Sequence, residues 1–157
     1  MYTAQQIIKS LGLLAHPEGG FYKETYRSEQ TLKEENRQLL TSIYFLLTSD
    51  NVSHFHRIKS DELWYFHAGN PLIVHTLSSV GHQQHQLGLH LSKGEQPFLF
   101  IPKNTIFGST VKDNDGFSLV SCAVAPGFDF RDFELFERAQ LLADFPEHVS
   151  IIERLTT

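Results

Sequence analysis

With a single cysteine, Cys122, the chain can form no internal disulfide, so its stability must come from a packed core. Cys122 lies in the apolar run Leu119-Val120-Ser121-Cys122-Ala123-Val124, where a thiol reads as a small buried hydrophobe and not as a nucleophile. Long apolar runs are also missing, so no membrane-spanning helix is expected. The stretch Met1 to Ser10 is polar and lacks the basic start and apolar block of a secretory signal, which makes the cytoplasm the expected compartment. Basic residues are scattered, and 13 Lys and Arg against 18 Asp and Glu leave a formal charge of -5. Neither a nucleic acid nor a membrane is therefore expected as a partner.

What is present is an ordinary globular composition with an unusual number of histidines. Apolar residues make up 41% and charged residues 20% of 157 positions, enough to bury roughly 70% of the unfolded surface in one domain, residues 1–157. Nine histidines supply side chains that bind metals and exchange protons near neutral pH.

Ile7, Ile8, Leu11 and Leu14 recur at helical spacing after a capping Thr3, predicting an amphipathic outer helix over Thr3–Leu14. His16-Pro17-Glu18-Gly19-Gly20 breaks regular structure before the alternating strand Phe21–Tyr26. From Leu39 to Ala125 short β segments follow one another: Leu39–Leu47, Ser53–Arg57, Glu62–His67, Leu72–Leu77, His82–Leu89, Pro97–Ile101, Ile106–Val111 and Phe117–Val124. Turn residues such as Ala68-Gly69-Asn70-Pro71 and Asp113-Asn114-Asp115-Gly116 separate them, and no helix intervenes, which predicts an all-β sandwich or barrel. After Pro126-Gly127 come Phe128, Phe130, Phe133 and Phe136, a short helix over Glu137–Asp144, and a final helix or strand over Val149–Leu155. So aromatic a segment is expected to pack across another surface, that of a partner subunit included.

The densest chemistry runs from Ser53 to Gly69. On a strand His54 and His56 share a face with Phe55 on the other, and Glu62 opens the next strand with Trp64 on its own face. This stretch resembles the first cupin motif, a His-x-His pair followed by Glu and Gly, here His54, His56, Glu62 and Gly69, with a longer spacer before the Glu. Pro102 resembles the start of the second motif, but Asn104 stands for its glycine and Phe107 for its histidine, so a fourth metal ligand is missing. With Gly19-Gly20-Phe21-Tyr22, Tyr26-Arg27-Ser28 and Asp61-Glu62-Leu63-Trp64, nearly the whole chain resembles the fifth cupin family, small proteins mostly without known function. The resemblance implies a double-stranded β-helix, or jelly-roll barrel, with short flanking N- and C-terminal helices. It also implies a homodimer and a central pocket holding His56, Asp61, Glu62 and Trp64, with His54 a variable position.

Three readings of that pocket are open. In the first, His54, His56 and Glu62 hold a divalent metal such as Zn, Fe, Mn or Ni with open positions for substrate, as in a metal-dependent oxygenase or isomerase. In the second, no metal acts: His56 is the base, Glu62 orients it, and Tyr44 or Tyr22 donates a proton, giving isomerase or epimerase chemistry on a sugar-like or keto-acid-like substrate. The barrel is similar to that of metal-free dTDP-sugar 3,5-epimerases, a likeness of fold. In the third the protein only binds a small molecule or serves structurally. Trp64, Phe66, Phe98, Phe100 and Phe107 would then line the pocket beside Tyr22, His54 and Asn104. His67, His75, His82, His85 and His90 are expected at the surface or on strand edges, and His16 and His148 carry no signal.

Overall fold

The computed structural model describes residues 2–157; Met1, the first residue of the expected domain and of its polar N-terminal stretch, lies outside them. In chain order, α1 (Ala4–Leu11) and β1 (Leu14–Ala15) lead into β2 (Phe21–Arg27), and a small hairpin of β3 (Thr31–Leu32) and β4 (Arg37–Gln38) follows. The barrel strands are β5 (Thr41–Thr48), β6 (Val52–Arg57), β7 (Asp61–Gly69), β8 (Leu72–Ser78), β9 (Gly81–Leu87), β10 (Phe98–Ile101), β11 (Ile106–Val111) and β12 (Phe117–Ala125). β13 (Glu134–Leu135), α2 (Arg138–Asp144) and α3 (Val149–Arg154) close the chain.

Two antiparallel sheets face each other, one ordered β1-β2-β5-β12-β7-β10 and the other β13-β6-β11-β8-β9. Period-two alternation sets what they enclose. Phe45 and Leu47 of β5, Trp64 of β7, Val74 of β8, Phe107 of β11 and Val120 of β12 point inward and form one core cluster. Burying each such side chain stabilises the fold by about 1.5–3 kcal/mol. The opposite parity of β6 turns Phe55 to the outer face of its sheet, where it joins Leu77, Phe136, Leu141, Ile152 and Leu155 in a second cluster. The aromatic C-terminal segment thus packs on its own domain, covering the outside of the five-stranded sheet, and its last element is a helix.

α1 starts at the Thr3 capping box with Gln6 and stops at Gly12, whose φ of 66° ends the helix one turn before Leu14. None of its residues is fully buried, as an outer helix requires. It is too short to cross a membrane, and no described helix is long and apolar enough to do so. Gly69 ends β7 at φ 91° with the Phe117 carbonyl 2.1 Å from where a Cβ would sit, which is the local reason for glycine at that motif position.

Candidate active site

One end of the barrel opens into a cavity of about 550 Å³. Its floor comes from β6, β7 and β12 through His56, Glu62, Cys122 and Val124, its wall from Tyr22 and Ile43, and its rim from His16, Glu18 and the Phe128–Phe133 segment. Arg37 holds that segment down through Asp132 at 2.7 Å.

The turn between β1 and β2 is the part that completes the site. Gly19 takes φ 107° so close to the Val52 carbonyl that a Cβ would stand 2.0 Å from its oxygen. This docking lets the Glu18 carbonyl accept from the His54 backbone N–H at 2.7 Å and places the Glu18 carboxylate inside the barrel mouth. Gly19→Ala should therefore cost about 1–3 kcal/mol and pull Glu18 off His56. Thermal unfolding checks the first effect and histidine NMR the second; an unchanged His56 spectrum would show that the turn does not set the pair.

His56 is held at both nitrogens. Nδ1–H donates to the His54 carbonyl at 2.7 Å and Nε2–H donates to Glu18 Oε2 at 2.8 Å. With Glu18 ionised both partners accept, which makes the ring an imidazolium. Burial pulls its pKa down, but the Glu18 charge and hydrogen bond outweigh burial and hold it above the ordinary value. For Glu18 burial pushes up, and the His56 cation and hydrogen bond prevail to hold it below the usual carboxylate range. Phe107 packs on the same ring at 4.2 Å and Phe133 at 5.3 Å.

Glu62 is different. It is buried, and Oε2 has no hydrogen-bond partner among the described residues. Burial drives its pKa up, the His56 cation pulls back, Glu18 adds repulsion, the nearby Trp64 indole N–H lowers it a little, and the group titrates at about 7. Two residues along the same face, the buried Trp64 Nε1–H lies toward that carboxyl without closing a hydrogen bond of ordinary geometry. The Cys122 thiol on the floor is pushed well above its ordinary pKa, chiefly by burial, so it stays protonated and unreactive.

Of the residues singled out in the sequence, His56, Glu62 and Tyr22 meet in the cavity. The others do not. His54 shares the inward face, but its Nδ1–H donates to the Glu18 carbonyl at 2.7 Å, so it braces the turn. Trp64 and Phe107 are core, each nearly inaccessible, with their rings 6.1 Å apart. Tyr44 lies outside the barrel beside His67, because its neighbour Phe45 takes the inward position. Phe98 and Phe100 alternate with the inward Leu99 and Ile101 and are about half exposed on the outer face. Asn104 sits exposed in the turn after β10 at φ 65°, a conformation asparagine tolerates, and donates its N–H to the Ile58 carbonyl. Asp61 accepts from Lys103 N–H at 2.8 Å and fixes that same turn. His75 is buried, hydrogen-bonded to Thr110 and His82, against the expectation of a surface position.

Paired with an ionised Glu18, His56 carries protons on both nitrogens and has no lone pair with which to act as the base. In this arrangement His56 Nε2 is taken by Glu18, and among the described residues no three His, Cys, Asp or Glu side chains converge as metal ligands. Sequence reasoning missed Glu18 and His16. A carboxylate and an imidazole within a turn containing two glycines was the available signal, since loops braced by a rigid scaffold carry function.

The family profile described as Cupin superfamily (DUF985) matches residues 5–136. The chain belongs to the Cupin_5 family. This cupin is similar over 100% of its length to 99% of a crystallised Shewanella oneidensis protein, at 50% identity and TM-score 0.95. It is also similar to a hypothetical protein from Leishmania major, at 40% identity, TM-score 0.92 and 99% coverage of both chains. Bacillus subtilis oxalate decarboxylase shares the fold at 15% identity and TM-score 0.58, with 90% of this chain matching 36% of that one. The all-β barrel read from the strand spacing, and the jelly roll that the family resemblance implied, are the fold these relatives have.

Proposed function

We propose that this cupin binds a small sugar-like or keto-acid-like molecule in the barrel and moves a proton on it without a metal, as an isomerase or epimerase does. The observation that carries the reading is Glu62: a buried carboxyl with an unpartnered oxygen, titrating at about 7, facing an imidazolium. A base poised near the working pH beside a fixed cation is the arrangement that proton abstraction next to a carbonyl requires. Glu62 is the base in this reading, His56 the cation that stabilises developing negative charge, and Glu18 the group that keeps His56 charged. Tyr22 in the wall and the edge-to-face rings of Phe128, Phe130 and Phe133 at the rim give apolar surface for the body of the ligand. A lone buried thiol suits the reducing cytoplasm, where we place the protein.

Incubation in D2O with pyruvate, oxaloacetate, dihydroxyacetone and fructose, followed by proton NMR, tests the reading. Loss of a C–H signal with the wild type but not with Glu62→Gln supports it. Binding seen as thermal stabilisation, with no exchange in any compound, would replace catalysis by a binding role.

We also propose a homodimer formed through the β10 edge. β10 ends its sheet, and Tyr65, Phe98 and Phe100 expose apolar rings beside the unpaired strand. A second copy would cover both the edge and the rings. Phe98→Glu with Phe100→Glu should turn the dimer into a folded monomer by light scattering; a dimer that survives both changes removes this interface.

A further inference from the structure

We infer that His16 is the cavity's neutral hydrogen-bond donor and that it selects ligands whose carbonyl oxygen can take up negative charge. The inference rests on the proton-transfer reading above and supplies the hydrogen bond that His56, with both N–H groups committed, cannot itself give to the charged oxygen. The Glu18 backbone N–H donates to His16 Nδ1 at 3.1 Å, so Nδ1 is an acceptor and the proton lies on Nε2. The side chain is 7% exposed, lines the cavity, and its Nε2 makes no hydrogen bond to the described residues. Tyr22 stands edge-on to the ring at 4.6 Å, with Phe45 and Phe133 each 6.2 Å away, fixing its plane. Burial first, and then the His56 cation, lower its pKa against the pull of Glu18, so the ring stays neutral.

The two cations of the mouth are committed: Lys23 Nζ donates to the Leu11 carbonyl, and the Arg27 guanidinium binds both Glu24 oxygens and Gln38. An N–H on a neutral, immobilised imidazole is suited to an enolate oxygen, because it strengthens as charge develops without holding a ground-state anion tightly. The step is balanced. Glu62 carboxylate takes the proton from the carbon next to the carbonyl, and the C–H electron pair forms the C=C bond. The carbonyl π pair moves onto oxygen, which accepts from His16 Nε2–H. Reprotonation at carbon restores the carbonyl and the Glu62 carboxylate.

Protein labelled with 15N-histidine tests this, with the His16 signals assigned by their loss in His16→Gln. In the free protein His16 should show the Nε2–H tautomer across about pH 6–8. An imidazolium or the Nδ1–H tautomer overturns the inference. The same sample is then titrated with glycolohydroxamate, a planar mimic of an enediolate, and with pyruvate and dihydroxyacetone. Binding should move the Nε2–H resonance; His16→Phe should weaken it about tenfold, and His16→Gln, which keeps an N–H near that position, should not. Binding that leaves His16 unmoved, or no binding by any of the three, overturns it. Solvent exchange with an unresponsive His16 defeats only this inference. A responsive His16 with no exchange defeats only the proton-transfer reading.

Discussion

Glu62→Gln should abolish proton exchange and at the same time make the protein more stable above neutral pH. The rate should fall by about 10²–10⁴, the contribution of a positioned base. Stability moves the other way because the Glu62 pKa is raised to about 7 from 4.5. A carboxyl whose folded pKa is raised is unpenalised below its unfolded value and loses stability as pH climbs from 4.5 through 7. Glutamine never acquires that buried charge. The variant should gain on the order of 2–3 kcal/mol at about pH 8, several degrees in melting temperature, and little at about pH 5. Wild-type exchange should rise with pH through about 7 and then level off. Equal stability of the two proteins at high pH would show that Glu62 is not held neutral, and undiminished exchange in the variant would put the base elsewhere.

The barrel was legible because strand alternation and turn residues are local signals. Each run from Leu39 to Val124 carries its own breaker, and the strands from β5 to β12 fall on those runs within a few residues. Parity within a strand was legible too: Phe55 faces away from His54 and His56, and Trp64 shares a face with Glu62. Parity between strands was not. Nothing local says whether Tyr44 or Phe45 faces the cavity, or whether Phe98 and Phe100 or Leu99 and Ile101 do, since a one-residue slip inverts a strand. Tyr44, Phe98 and Phe100 were assigned inward and stand outside.

The same limit explains the site. His56 and Glu62 were found because they lie on adjoining strands within a recognisable pattern. Glu18 and His16 lie far from them in sequence and reach them only because Gly19 lets the turn press against Val52. Without that contact the His54 and His56 pair has no visible carboxylate partner. With it, Glu18 occupies His56 Nε2 and holds charge on the ring.

Glu18→Gln should therefore be the most destabilising polar substitution in the cavity. With Glu18 held below its ordinary 4.5 and His56 above its ordinary 6.5, the pair contributes fully between those pH values. The contribution fades as pH falls through the lowered Glu18 pKa or rises through the raised His56 pKa. Removing the carboxylate loses the buried ion pair, at a cost of about 3 kcal/mol near pH 6 even when the ring gives up its proton. The ring should do so, because burial, the largest influence on it, then acts unopposed by Glu18. Melting should drop by roughly 6–12 °C, and the 15N spectrum of His56 should change from imidazolium to a neutral ring at neutral pH. A double-mutant cycle with His56→Gln isolates the pair, with a coupling of about 2 kcal/mol expected near pH 6 and less well above it. Additive effects, or an imidazolium that persists in Glu18→Gln, would mean that Glu18 does not hold the charge on His56.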